Sequence, residues 1–204
     1  MSREMEEQQK HNNYTFRNCT AIILAGGLAE RMGSDKRFLK LGDENIIERH
    51  VRILKKHFPH VLISANDPEA LQHLGVDVIR DENLGRGPLE GLTSALTVSP
   101  TNCNFVVAVD IPKLDIQLMK RMWEENGHGT AIVPIYADGN QEPLFAFYDK
   151  SVVPIFRGAL SAGELAIHKA LQQCSVYHFP MNGEIAIRNL NEPQDYLSFL
   201  RSGE

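Results

Sequence analysis

The stretch Leu24-Ala25-Gly26-Gly27-Leu28-Ala29-Glu30-Arg31-Met32-Gly33-Ser34-Asp35-Lys36 carries the decisive reading of this chain. It leaves the apolar run Ala21-Ile22-Ile23-Leu24, which reads as a short buried strand. Gly26, Gly27 and Gly33 tolerate positive φ, and turns built on such residues leave backbone N–H groups free to face an anion. Arg31 and Lys36 add positive charge to the same loop. A strand that opens into a glycine turn flanked by cations predicts a phosphate-binding loop. Neither of the two familiar phosphate motifs fits. A Walker loop needs lysine directly after its last glycine, whereas Ser34 and Asp35 intervene here, and the dinucleotide fingerprint needs glycine where Leu28 stands.

Downstream of the loop, helical and strand patterns alternate. Ile46, Ile47, Val51, Ile53 and Leu54 recur at helical spacing up to Phe58-Pro59, where proline stops a helix. Val61-Leu62-Ile63 reads as a strand, and Asp67-Pro68 as the N-cap and first-turn proline of a short helix through Leu71 and Leu74. Val76 to Ile79 is a strand that delivers Asp81 to a loop ending at Gly87, after which Pro88 opens a helix through Leu92, Ala95 and Leu96. Phe105 to Val109 is the strongest strand signal, because an unbroken apolar run implies burial on both faces, and it ends at Asp110. The remainder predicts helix Asp115 to Glu125, strands Ala131 to Ile135 and Leu144 to Tyr148, and helices Asp149 to Phe156 and Glu164 to Leu171. A strand from Val176 to Phe179 and a last helix from Pro193 to Leu200 complete it.

This alternation predicts an α/β fold: a single doubly wound, mostly parallel sheet with helices on both faces. Ligands of such sheets sit beyond the carboxyl ends of the strands. The glycine loop, Asp81 and Asp110 all follow strand ends, so one cleft is expected to hold all three. Residues 1–17 are mostly polar and without apolar periodicity, which predicts a flexible extension ahead of one domain over residues 18–204.

With 204 residues, 43% hydrophobic and 23% charged, the chain has the composition of one soluble globular domain. A formal charge of −5 argues against a general nucleic-acid binder. No apolar run is long enough to cross a bilayer and the N-terminus lacks a signal peptide's apolar core, so no membrane association and a cytoplasmic location are expected. Cys19, Cys103 and Cys174 are far apart in sequence and form no C-x-x-C pair, so buried free thiols are expected rather than disulfides or a zinc site. The histidines are scattered, and His57 and His60 read as helix-end residues rather than metal ligands.

Asp110-Ile111-Pro112 puts a carboxylate at the end of the most buried strand, where proline turns the chain away. Such a carboxylate suits magnesium, which takes one or two protein carboxylates together with phosphate oxygens and waters. It equally suits a turn, as does Asp81.

The full spacing of the opening loop, L-A-G-G, three variable residues, R-M-G, one variable residue and D-K, resembles the signature of molybdenum cofactor guanylyltransferases. Every fixed position is present. Gly87-Pro88-Leu89-Glu90-Gly91 resembles that family's G-P-L-x-G segment, Asp110-Ile111-Pro112 its D-x-P segment, and Asn189-Leu190-Asn191 before Glu192-Pro193 its N-x-N-x-P ending. The resemblance runs from Thr20 to Tyr196. It implies a Rossmann-like nucleotidyltransferase fold and the transfer of GMP from GTP to the phosphate of molybdopterin, with release of pyrophosphate. GTP and molybdopterin are then the substrates and Mg2+ the cofactor, with transient contacts to proteins that supply molybdopterin or receive the product.

Carried over residue by residue, the resemblance assigns Leu24, Ala25, Gly26, Gly27, Lys36, Asp81, Gly87, Gly91 and Asp110 to GTP, and Asp110 also to the metal. Arg31, Asn189 and Asn191 fall on the pterin side. Arg31, Lys36 and Asp110 are the expected catalytic residues, with Lys36 on the triphosphate. Arg31 suits the incoming pterin phosphate because a planar guanidinium binds such oxygens bidentately. Plainer readings stay open for Gly87 and Gly91 as loop and helix-packing glycines, and for Asn191 as the N-cap of the last helix. Glu90 stands where the family usually has a small residue, and its carboxylate is expected to point away from phosphate or to weaken its binding. Ser64 stands where relatives often place asparagine.

The implied chemistry needs no serine or cysteine nucleophile, because the attacking phosphate oxygen is already anionic. Catalysis reduces to bringing anions together, against a repulsion on the order of 4 kcal/mol per charge pair at about 4 Å and an effective dielectric of about 20. The competing readings are a related nucleotidyltransferase using CTP or a sugar phosphate, and a non-catalytic molybdopterin carrier. Gly26 favours GTP, since cytidylyltransferases acting on molybdopterin typically carry alanine there.

Overall fold

Alternate residues of the first strand face opposite ways, and both sides of the sheet are covered. The computed structural model describes residues 15–26, 35–125, 129–181 and 187–202. Its strands are β1 (Cys19–Leu24), β2 (Lys40–Leu41), β3 (Glu44–Asn45), β4 (His60–Ser64), β5 (Asp77–Ile79), β6 (Cys103–Ala108), β7 (Ala131–Ile135), β8 (Phe145–Asp149) and β9 (Val176–Pro180). Its α-helices are α1 (Ile46–Leu54), α2 (Pro88–Val98), α3 (Ile116–Glu124), α4 (Val153–Ser161), α5 (Ile167–Leu171) and α6 (Pro193–Ser202). Seven strands form one sheet in the order β5-β4-β1-β6-β8-β7-β9. β5, β4, β1 and β6 pair in parallel, β8 runs antiparallel to both its neighbours, and β9 is parallel to β7. This is the doubly wound, mostly parallel α/β sheet that the sequence predicts.

Ala21 and Ile23 of β1 share one face with Ile63, Phe105 and Val107, under Ile46, Ile47 and Val51 of α1, Met119 and Met122 of α3 and Phe199 of α6. Ile22 and Leu24 share the other face with Leu62 and Val106, under Leu89, Leu92 and Leu96 of α2, Phe156 of α4 and Ile167 of α5. Each such side chain contributes roughly 1.5–3 kcal/mol by leaving water, so these two layers hold the sheet in register. Because β5, β4, β1 and β6 are parallel, their carboxyl ends lie on one edge. Gly26, Asn66, Asp81 and Asp110 each follow one of those ends by two residues.

Several expectations need correction. Of residues 1–17, read as a flexible extension, residues 1–14 lie outside the described residues, but Phe16 is 1% exposed and stacks on Phe58 with ring centroids 4.5 Å apart. Its amide also donates to the His57 carbonyl at 2.7 Å, so the core begins before residue 18. The element at Pro68–Leu74 is a 3-10 helix closed by Gly75 in the left-handed region, φ 60°. Asp67 does not cap it, because that carboxylate is bound by Arg37. The helix expected at Asp149 starts as a 3-10 turn over Lys150–Val152 before α4, and the one expected at Glu164 starts at Ile167. Before α6 the residue that reaches back is Asp195, whose carboxylate accepts from the amides of Asn191 and Glu192 at 2.9 and 2.8 Å.

The three cysteines are free, but only Cys19 is buried, while Cys103 and Cys174 are half-exposed. Parallel register sets Cys19 beside Cys103, with their Sγ atoms 2.8 Å apart. No helix among the described residues is long and apolar enough to cross a membrane.

Candidate active site

Two adjoining cavities open at the carboxyl edge of the parallel strands. The larger, about 530 Å³, is lined by Ser64, Asn66, Asp81, Gly85, Gly87 and Gly91. The smaller, about 170 Å³, is lined by Asp35, Lys36, Val109, Asp110 and Leu144. Leu24, Ala25, Gly26, Arg37 and Pro88 line both, which makes them two halves of one cleft. The larger half falls within the size range of small-molecule sites.

In the larger half, Asp81 is half-buried and its Oδ1 has no hydrogen-bond partner among the described residues, while Oδ2 accepts from Asn66 Nδ2 at 2.9 Å. Asn66 Oδ1 in turn accepts from the Asp81 amide at 3.0 Å, so the asparagine fixes both backbone and carboxylate. Burial pushes the Asp81 carboxyl above the ordinary aspartate range, the Asn66 hydrogen bond opposes that rise, and the Glu90 charge adds to it. Gly91 is a close-approach glycine. A Cβ there would stand 2.7 Å from Ser64 Oγ and 3.0 Å from Asp81 Oδ1. Gly87 holds φ 74° at the entry to α2, where any other residue would be strained. At Gly26, by contrast, among the described residues the nearest atom to a Cβ would be the Ser64 carbonyl at 3.9 Å.

In the smaller half, Lys36 Nζ donates to Asp110 Oδ2 at 3.2 Å. The turn that carries Asp110 is tied down on both sides. The Leu190 amide donates to the Asp110 carbonyl at 2.7 Å, which brings the Asn189–Asn191 segment against the cleft. His50 of α1 reaches the Ile111 carbonyl through Nε2 at 2.8 Å. A carbonyl only accepts, so the imidazole proton sits on Nε2; Nδ1 is buried without a partner. Burial pushes the His50 pKa down to about 4 despite that hydrogen bond, which leaves the ring neutral at pH 7.

Glu142 lies near Asp110. Burial raises its carboxyl pKa, a hydrogen bond from Asn189 lowers it, and the Asp110 charge raises it further. Arg37 spans the cleft rim, donating from Nε to Asp35 at 2.9 Å and from Nη2 to Asp67 Oδ2 at 2.8 Å. The two carboxylates hold that guanidinium firmly charged.

Among the described residues the cleft therefore sets Lys36 and Arg37 against Asp35, Asp67, Asp81 and Asp110. No group of three or more metal-ligating side chains occurs among the described residues. A partly exposed Asp110 with one further carboxylate nearby instead fits a divalent ion that completes its shell with phosphate oxygens and waters. Gly27 and Arg31, assigned to GTP and to the pterin phosphate, lie outside the described residues.

The profile of the MobA-like NTP transferase domain matches residues 21–175, which takes in every strand that delivers a residue to this cleft. The chain belongs to that family. Among its MobA-like relatives, a protein of Carboxydothermus hydrogenoformans named as a probable molybdenum cofactor guanylyltransferase is 33% identical over 91% of this chain and 97% of its own. Among solved structures, the molybdopterin-guanine dinucleotide biosynthesis protein A of Archaeoglobus fulgidus superposes with a TM-score of 0.77 at 22% identity, covering 90% of this chain and 98% of its own. A Mycobacterium tuberculosis protein solved with manganese superposes at 0.64 and 18% identity, covering 91% and 99%. The structural likenesses show the fold.

Within this MobA-like domain, sequence reasoning passed over Asn66, Arg37, Asp67, His50 and Glu142. Asn66 had a usable signal, since it follows the end of β4 as Asp81 follows that of β5. Ser64 is buried and lines the larger cavity. Glu90 does point away from the cleft, into the wall behind Asn83.

Proposed function

We propose that this protein transfers GMP from GTP to the phosphate of molybdopterin, forming molybdopterin guanine dinucleotide and pyrophosphate. The observation that carries the reading is one cleft with an undonated buried acceptor, Asp81 Oδ1, in its larger half and the Lys36–Asp110 pair in its smaller half. The names of the relatives supply the pterin substrate, which these residues do not specify by themselves.

In this reading the guanine occupies the larger half, where Asp81 accepts from its N1–H and N2–H groups and Leu24, Ala25, Gly26, Gly87 and Gly91 form the walls. Lys36 moves from Asp110 to the triphosphate. Asp110 would hold a magnesium ion, which would supply positive charge against the phosphate oxygens. A pterin phosphate oxygen attacks the α-phosphorus as the bond to pyrophosphate breaks, and the residues named here align the two anions and neutralise the leaving group. Arg31, Asn189 and Asn191 face the pterin side, with Asn189 held by Glu142. The reaction uses soluble substrates and suits a cytoplasmic enzyme.

Incubation with GTP, magnesium and molybdopterin, followed by product mass, tests the proposal. The dinucleotide mass with one pyrophosphate per turnover is expected. A product formed from CTP but not GTP would transfer the reading to the cytidylyl branch, and none with any nucleotide would leave only a carrier.

A further inference from the structure

Glu90 is 2% exposed, an unusual setting for a carboxylate in the first turn of a helix beside a nucleotide-sized cavity. Its Oε1 accepts from the Asn83 amide at 3.1 Å and from Asn83 Nδ2 at 3.0 Å. Oε2 is buried without a hydrogen-bond partner, with Arg86 Nη1 3.8 Å away. Asn83 and Arg86 both belong to the segment running from Asp81 to Gly87, whose first residue is held by Asn66 through the Asp81 amide and carboxylate. Its Gly85 and Gly87 sit at positive φ, and Leu84 at its tip is 71% exposed. Further ties are the Glu82 amide to Ser94 Oγ at 3.0 Å, Arg157 Nη2 to Glu82 Oε2 at 3.5 Å, and Arg86 Nη2 to the Leu160 carbonyl.

We propose that Glu90 is a positioning residue for nucleotide recognition, holding the Asp81–Gly87 segment through Asn83 and Arg86 so that Asp81 keeps its place in the cavity wall. The argument rests on the nucleotide reading of that cavity. A buried carboxylate is retained only where partners compensate its desolvation, and these partners lie within two residues of Gly85, which lines the cavity. The positive end of α2 stabilises the charge from behind. A small residue here would make none of these bonds.

The test compares Glu90→Ala and Glu90→Gln with the wild type by GTP titration, by steady-state kinetics and by hydrogen exchange of residues 81–87 without ligand. Glu90→Ala is expected to weaken GTP binding and raise KM by about tenfold while kcat at saturation changes less than about twofold. Exchange at the Asn83 amide should accelerate, and Glu90→Gln, which keeps an acceptor for Asn83, should recover most of both effects. If Glu90→Ala melts too low to assay, Asn83→Ala removes the side-chain donor from an exposed position and should raise KM by about threefold. Unchanged exchange or unchanged GTP affinity in a folded Glu90→Ala protein would overturn the inference. Failure of the wild type to use GTP would count against the proposed function alone, because the exchange comparison needs no nucleotide.

Discussion

Lys36 and Asp110, 74 residues apart in the chain, meet through Nζ and Oδ2 at 3.2 Å on the floor of the cleft. Their side chains are 20% and 25% exposed, so solvent screens the pair and its contribution to stability is below about 1 kcal/mol. Lys36→Ala should therefore barely move the melting temperature, yet lower kcat/KM by about a hundredfold or more if the ammonium neutralises a transferring phosphate. Kinetics and a thermal melt on the same preparation decide the point, and an active Lys36→Ala enzyme removes the residue from the chemistry.

Among the described residues Gly26 has room for a methyl group, and its φ is not positive. The space beside it belongs to the cleft. Gly26→Ala should leave folding unchanged and reduce kcat/KM for GTP by about ten to a hundredfold, with a smaller loss for CTP. Equal losses for both nucleotides would show that this position does not select the base.

Asp81 must be ionised to accept two donors from guanine, and burial raises its pKa. GTP affinity should accordingly fall as pH is lowered, beginning at a higher pH than for an exposed aspartate. Asp81→Asn should bind GTP more weakly at neutral pH and lose this acid limb. Titrations across pH with both proteins provide the comparison, and parallel pH curves would contradict it.

His50 is held neutral in the folded protein with a pKa near 4, whereas an unfolded histidine titrates near 6.5. The unfolded state binds the extra proton between those values, so stability is fully present above about pH 6.5 and declines as pH falls toward 4. The contribution at stake is on the order of 3 kcal/mol. Denaturant melts of wild type and His50→Gln should diverge in slope across this window. Glutamine keeps a donor for the Ile111 carbonyl, so loss of anchoring does not confuse the result.

The parallel half of the sheet was legible because its strands are buried on both faces and read as apolar runs, Ala21–Leu24 and Phe105–Val109 above all. The direction of β8 was not. Phe145 to Tyr148 has the same composition whichever way it runs, and only the pairing of Phe105 with Phe147 fixes it. At the site, glycines and carboxylates at strand ends could be read from spacing, because a loop after a parallel strand has one place to go. Arg37 and Asp67 could not, since their bond depends on two separate loops meeting. The same bond occupies the carboxylate that the sequence offers as a helix cap, and local sequence does not register it.

The aromatic cluster sets a limit on how far this chain can be shortened. Phe16 closes a run of rings through Phe58, Phe105 and Phe145, at centroid spacings of 4.5, 5.9 and 5.0 Å. A truncation beginning at Cys19 would keep every residue of the cleft and still uncover the ring of Phe58, at a cost of about 3 kcal/mol. The resulting greasy flank would invite self-association, so a trimmed enzyme would tend to precipitate long before it lost its catalytic parts.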